Sequence, residues 1–246
     1  MNSKLERLAG NMDTRFVVGL LAAAVVGTGC TQSPTPCQLQ QSATGGYVVK
    51  LVRNGSASSP ACDAADATPA IFSDVWVFDQ YTEDLVAVKS VNIPHPTDSE
   101  PNSDRYGKGK FTTVNPDNSN PSICTVASLN RMTNELTGSN LLAYTATNLR
   151  FLSGTDFLGT EFEADVHVER GGCAGDYTLQ GLAPPVGCDT NEDCDPFHKP
   201  FSSGIQSNYH QNCVTDTWTA GAADFLGGTG VCFLLDPFPS LGAFAP

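Results

Sequence analysis

Residues 160–170 read Thr160-Glu-Phe-Glu-Ala-Asp-Val-His-Val-Glu-Arg170, and the stretch alternates without a break. Phe162, Ala164, Val166 and Val168 fall on one face, while Glu161, Glu163, Asp165, His167 and Glu169 fall on the other. Side chains of an extended chain point to opposite faces in turn, so a strand sorts this stretch into one apolar and one charged surface. A helix would scatter the same residues around its circumference. The stretch is therefore a half-buried strand, and its apolar face requires further β-structure to cover it.

Working outward, the same texture recurs. Gly45–Gly55 (GGYVVKLVRNG) reads as a strand ending in an Asn-Gly turn signal. Ile71–Phe78 and Leu85–Ile93 are β-branched and aromatic runs joined by the polar connection Asp79–Asp84, which predicts a hairpin. A short strand is expected at Lys110–Val114, between the turn-forming stretches 94–108 and 115–122. Further strands are expected at Leu141–Leu152 and at Tyr177–Leu182, and Thr125–Leu136 is read as a possible short helix. Many short strands separated by turn signals predict a mainly β fold, an antiparallel β-sandwich with Greek-key or jelly-roll connections. From Ala183 onward the texture becomes loop-rich with four cysteines, apart from a last apolar run at Val231–Leu235, which predicts a disulfide-stapled C-terminal segment.

The composition excludes some partners. With 13 Lys+Arg against 26 Asp+Glu, the net charge of −13 repels phosphate backbones, so nucleic acid is not an expected partner. The 40% hydrophobic and 16% charged content is that of a chain that folds around a core.

Phe16–Gly29 (FVVGLLAAAVVGTG) carries no charge, follows Lys4, Arg7 and Arg15, and ends at Cys30. It is too short to span a bilayer, which takes roughly 20 apolar residues, and matches the apolar core of an export signal. Met12 offers an alternative start that leaves Arg15 beside this core. The end of the run, VVGTGC, resembles a bacterial lipobox, with Gly27 where that family prefers a branched residue. The resemblance implies a bacterial lipoprotein precursor similar to cysteine-containing envelope lipoproteins of Gram-negative bacteria. It implies cleavage before Cys30 and acylation of that cysteine, palmitate included. Thr31 after the cysteine implies, by the same resemblance, sorting to the outer membrane. The expected organisation is thus 1–29 signal peptide, 30–44 acylated cysteine and Pro-rich tether, 45–182 β-sandwich and 183–246 Cys-rich segment. Without lipidation the run reads as an ordinary cleaved signal or a buried helix.

Setting Cys30 aside leaves Cys37, Cys62, Cys124, Cys173, Cys188, Cys194, Cys213 and Cys232, an even set suited to disulfides in an oxidising compartment. Spacing favours pairing of Cys188, Cys194, Cys213 and Cys232 among themselves. Asp189, Asn191 and Asp193 place oxygen donors at alternate positions, as a calcium loop does, although Cys194 and Pro200 stand where an EF-hand needs Gly and Glu. Calcium is the one cofactor considered on this ground; otherwise none is expected. Cys194, His198, His210 and Cys213 have spacing compatible with zinc, against which disulfide formation competes. The ladder Glu161–Glu169 could bind cations or supply an acid/base pair, or be a solvated strand face. Trp76, Phe78, Tyr81 and Trp218 could form a sugar-stacking platform or belong to the core. GxSxG, HExxH, Walker and GxGxxG patterns do not occur. The chain therefore reads as an envelope-anchored binding or structural module. Its expected partners are the membrane, through acyl chains, and an envelope protein or glycan. An exported hydrolase or calcium-dependent glycan-binding protein is the alternative.

Overall fold

The computed structural model describes residues 37, 39, 46–56, 58–64, 67–82, 84–93, 105–114, 122–134, 138–153, 158–197, 203 and 211–234. The expected signal peptide 1–29, Cys30 and nearly all of the expected tether 30–44 lie outside the described residues, as do His198 and His210. Nine strands form the principal sheet: β1 (Tyr47–Arg53), β2 (Ile71–Gln80), β3 (Leu85–Ser90), β4 (Gly107–Val114), β5 (Ser122–Ser128), β6 (Met132–Thr133), β7 (Leu142–Ser153), β8 (Leu158–Arg170) and β9 (Cys173–Leu182). The predicted class holds: the chain is mainly β and antiparallel, with disulfide-bonded cysteine pairs.

The connections follow a simple plan. Apart from β5 and β6, which lie in succession along β7, strands adjacent in sequence pair with one another, and β1 pairs with β9 from Val48↔Leu182 to Arg53↔Tyr177. The order β1-β2-β3-β4-β5-β7-β8-β9 thus returns to β1, so the facing layers are walls of one closed eight-stranded barrel joined as a meander. Greek-key crossovers are not needed, because closure leaves no open edge among these strands.

The turn between β8 and β9 shows how local chemistry sets this plan. Gly171 and Gly172 have φ of 59° and 82°, the paired positive values of a tight hairpin turn that matches strand twist. Within 125–134 the chain is strand rather than helix where it is regular, as the end of β5 and as β6: Phe111↔Val126 and Val126↔Leu149 hold β5 on both sides, and Met132↔Tyr144 holds β6, while residues 135 and 136 lie outside the described residues. The hairpin connection between β2 and β3 is shorter than expected, since pairing continues to Gln80↔Val86.

An eight-stranded barrel is just wide enough for side chains to fill. Here Tyr47, Trp76, Phe78, Phe151 and Phe162 do so, with ring centroids 5.0 Å apart for Phe78 and Phe162 and 5.1 Å for Tyr47 and Phe162. One end is closed by Cys37 and Leu39, both buried in this core. Cys37 is bonded to Cys124 of β5, and its carbonyl accepts from Gln80 Nε2 at 3.0 Å.

The C-terminal segment contributes β10 (Gly187–Cys188), β11 (Asn212–Val214), β12 (Gly230–Phe233) and a helix, Ala220–Leu226. It covers the outer face of the barrel wall: Val48, Val75, Leu152 and Leu182 pack with Val214, Ala222, Val231 and Phe233 in a second core. This is why Val48 is buried although it points away from the barrel axis. Cys188–Cys213 and Cys194–Cys232 staple the three-stranded sheet, and Cys62–Cys173 ties the helix Pro60–Ala64 to the start of β9.

Candidate functional site

The barrel end opposite Cys37 is open. There the inward positions of three strand ends, Phe72 on β2, Leu142 and Tyr144 on β7, and Val168 and Arg170 on β8, line a cleft of about 680 Å³. The cleft continues over the lip of β2 to Thr217, Trp218 and Gly221 of the C-terminal segment, and Asn92 borders it after β3. Leu142↔Arg170 and Tyr144↔Val168 are register partners, so β7 and β8 present two aligned pairs to the opening.

Beneath the cleft lies a buried polar cluster. Asp74 shares the inward face of β2 with Phe72, Trp76 and Phe78 and is wholly buried. Its carboxylate accepts from Ser90 Oγ at 2.5 Å, from the Val75 N–H at 2.7 Å and from Trp76 Nε1 at 3.2 Å, with the Tyr144 hydroxyl as a further donor. Burial pushes the Asp74 carboxyl up to about 6, against the opposing pull of these hydrogen bonds. Burial likewise raises Tyr144 well above the usual phenol range, and the Asp74 charge adds to it. Tyr144 thus connects the two: its side chain lines the cleft above while its hydroxyl serves the carboxylate below.

Sequence reasoning overlooked Asp74, Ser90 and Tyr144. The signal was present in IFSDVWVF (71–78), where a lone carboxylate shares the parity of Phe72, Trp76 and Phe78. A charge at an inward strand position has to be met by donors.

The other candidates are distributed as follows. Each ladder residue from Glu163 to Glu169 has a partner on a neighbouring strand or loop: Glu163 with Arg150, Asp165 with Asn148 at 2.8 Å, His167 with Asp176 at 2.6 Å and Glu169 with Arg131 at 2.9 Å. Glu161 is fully buried. Asp189, Asn191 and Asp193 each give oxygen to backbone amides: Asp189 Oδ1 to Thr229 at 3.0 Å, Asn191 Oδ1 to Cys213 at 2.8 Å, and Asp193 Oδ2 to Asp189 and Thr190, both at 2.9 Å. Among the described residues, Cys188, Cys194 and Cys232 bring metal-type ligand atoms within 4.8 Å of one another, and all three sulfurs are in disulfides, which offer no thiolate. Trp76 and Phe78 are core, Tyr81 is 65% exposed on the β2–β3 connection, and Trp218 stands at the cleft.

Comparison with known proteins gives two matches. A candidate lipoprotein of Myxococcus xanthus, MlpA, is 25% identical over 114 residues, which cover 46% of this chain and 45% of that protein. The match therefore spans less than half of that relative's length. No solved structure matches the chain. The model of the MlpA family matches residues 46–184, which run from the start of β1 past the end of β9 and make up more than half of the sequence. The strands that build the barrel are thus the part that carries the likeness, and the chain belongs to the MlpA family.

Proposed function

We propose that this protein is an acyl-anchored binding module of the cell envelope, which receives a small ligand in the cleft at the open end of its barrel. The observation that carries this reading is the contrast between the two ends. Aromatic side chains fill the interior and Cys37 and Leu39 close one end, whereas the other keeps a cleft within the ~300–1,000 Å³ range of small-molecule sites. Aromatic rings and a few polar groups converge on it. Neither a carboxylate nor a histidine is among the described residues that line it, which favours binding over acid/base chemistry.

Anchoring enters through the lipobox-like VVGTGC, through the family, and through the relative named as a candidate lipoprotein. On this reading residues 1–29 are removed, Cys30 is acylated, 30–44 form the tether, and Thr31 favours the outer membrane. Cys37, seven residues after Cys30 in sequence, is held at the barrel end away from the cleft.

The test uses protein purified from membranes. Gly221 borders the cleft, and a Cβ there would meet only Asn92 Oδ1, at 4.0 Å, so Gly221→Trp fills the space without displacing backbone. Native mass spectrometry should find a small-molecule adduct on the wild type that the variant lacks. An adduct retained by Gly221→Trp, or none on the wild type, removes the cleft as the binding site.

A further inference from the structure

The cleft is electrostatically unlike the rest of the molecule. The chain carries a net charge of −13, yet among the described residues the only ionisable side chains lining this opening are Arg170 and the un-ionised Tyr144. Arg170 is exposed, sits at an inward position at the end of β8, and has no ion-pair partner among the described residues. Its neighbour in sequence differs: Glu169 on the outer face is matched to Arg131 at 2.9 Å.

Two further cations stand close behind the lining. Lys50 Nζ lies 5.5 Å from the ring centroid of Trp218, which forms one side of the cleft. Arg53 donates to the carbonyl of Thr68, in the loop whose residues Ala67, Pro69 and Ala70 form another. The acids nearby are already engaged, since Asp74 is buried under four donors and Asp216 accepts from Trp218 Nε1 at 3.3 Å. The partly exposed apolar lining, Phe72, Leu142 and Trp218, offers surface to a body without charge, with Val168 buried beneath it.

Resting on the reading of this cleft as a binding site, we infer that its ligand is a small amphipathic carboxylate, with the acid on Arg170 and the apolar body against Phe72, Leu142 and Trp218. A guanidinium presents planar paired donors that match a carboxylate in two-point contact, and Arg170, exposed and without an ion-pair partner among the described residues, is ready to make it. The local cations favour an anion in a molecule that otherwise repels one, so discrimination comes from this opening rather than from net charge.

The test compares 4-phenylbutyrate with its uncharged isostere 4-phenylbutanamide, by isothermal titration calorimetry on the full mature protein. Phenylbutyrate should bind at least tenfold more tightly than the amide, and Arg170→Gln should abolish that preference while leaving the melting temperature of the free protein unchanged. Equal affinity for the two probes, or a preference that survives Arg170→Gln, overturns the carboxylate assignment while the cleft reading stands. Absence of binding by both probes also overturns it, and the adduct experiment with Gly221→Trp then judges the cleft separately. If the variant melts lower, Arg170→Lys should restore stability and part of the preference, and failure of that partial rescue counts against the contact.

Discussion

Asp74 and Ser90 meet inside the barrel from adjacent strands, Ser90 Oγ donating to Asp74 Oδ2 at 2.5 Å. Ser90 is directly opposite Trp76 in the β2–β3 register, so Asp74 reaches it as the diagonal neighbour, two residues along. A carboxylate, a hydroxyl, an indole and a phenol thus form one polar knot in an otherwise aromatic interior.

This knot makes stability depend on pH. The folded-state pKa of Asp74 is raised from 3.8 to about 6, so between these values the native protein holds a proton that the unfolded chain has released. The contribution is therefore present below about pH 4 and is lost as pH rises through 6, by up to about 3 kcal/mol. Subtracting the urea unfolding free energy of Asp74→Asn from that of the wild type at each pH isolates it. The difference should fall between pH 4 and 7, and a flat difference would refute the assignment.

Gly181 is opposite Phe162, and a Cβ there would lie 2.0 Å from the ring. Gly181→Ala should cost about 1–3 kcal/mol through overpacking. Phe162→Leu introduced into that background should recover part of the loss, whereas additive losses in denaturant unfolding would show that the two do not compete for space.

The intact mass of protein purified from membranes should correspond to a chain beginning at Cys30 with acyl groups attached, and eight thiols should be alkylated only after reduction. Peptides mapped without reduction should link Cys37–Cys124, Cys62–Cys173, Cys188–Cys213 and Cys194–Cys232. Replacing Cys62 and Cys173 together by Ser, which opens a loop of 111 residues, should cost on the order of 4–5 kcal/mol in the chain-entropy limit. An unlipidated mass would remove the anchor from the proposed function.

Asp193 caps the turn at Thr190, and its loss should cost about 1 kcal/mol. If its role is confined to these amides, Asp193→Ala lowers the melting temperature equally in calcium and in EDTA. A calcium-dependent rise in the wild type that the variant lacks would instead make the loop an ion site.

Much of this was legible in the chain. The alternation of Phe162, Ala164, Val166 and Val168 identified β8 and its buried face, and the apolar runs at 71–78 and 141–152 located β2 and β7, because period two is a property of neighbours in sequence. The helix expected from Thr125 is not formed over the described part of that stretch because Ser122–Ser128 is held as strand by β4 and β7, contacts that no local pattern reports. At the cleft, Trp218 was singled out for its chemistry, whereas Arg170 passed as the end of an alternating strand and Asp74 as one acid among many.

Taken alone, then, the sequence determined an export-like N-terminus, an even set of cysteines suited to disulfides, a mainly antiparallel β architecture and the inward face of β8, all of which follow from local composition and spacing. Tertiary structure alone decided that β1 pairs with β9 and closes the barrel, that one end is plugged by Cys37 while the other stays open, and that Arg170, Trp218 and the Asp74 cluster converge there. The physical reason is that closure is a bargain between residues more than a hundred positions apart: pairing energy and aromatic burial must together outweigh the entropy of joining the ends, and that balance exists only in the folded whole.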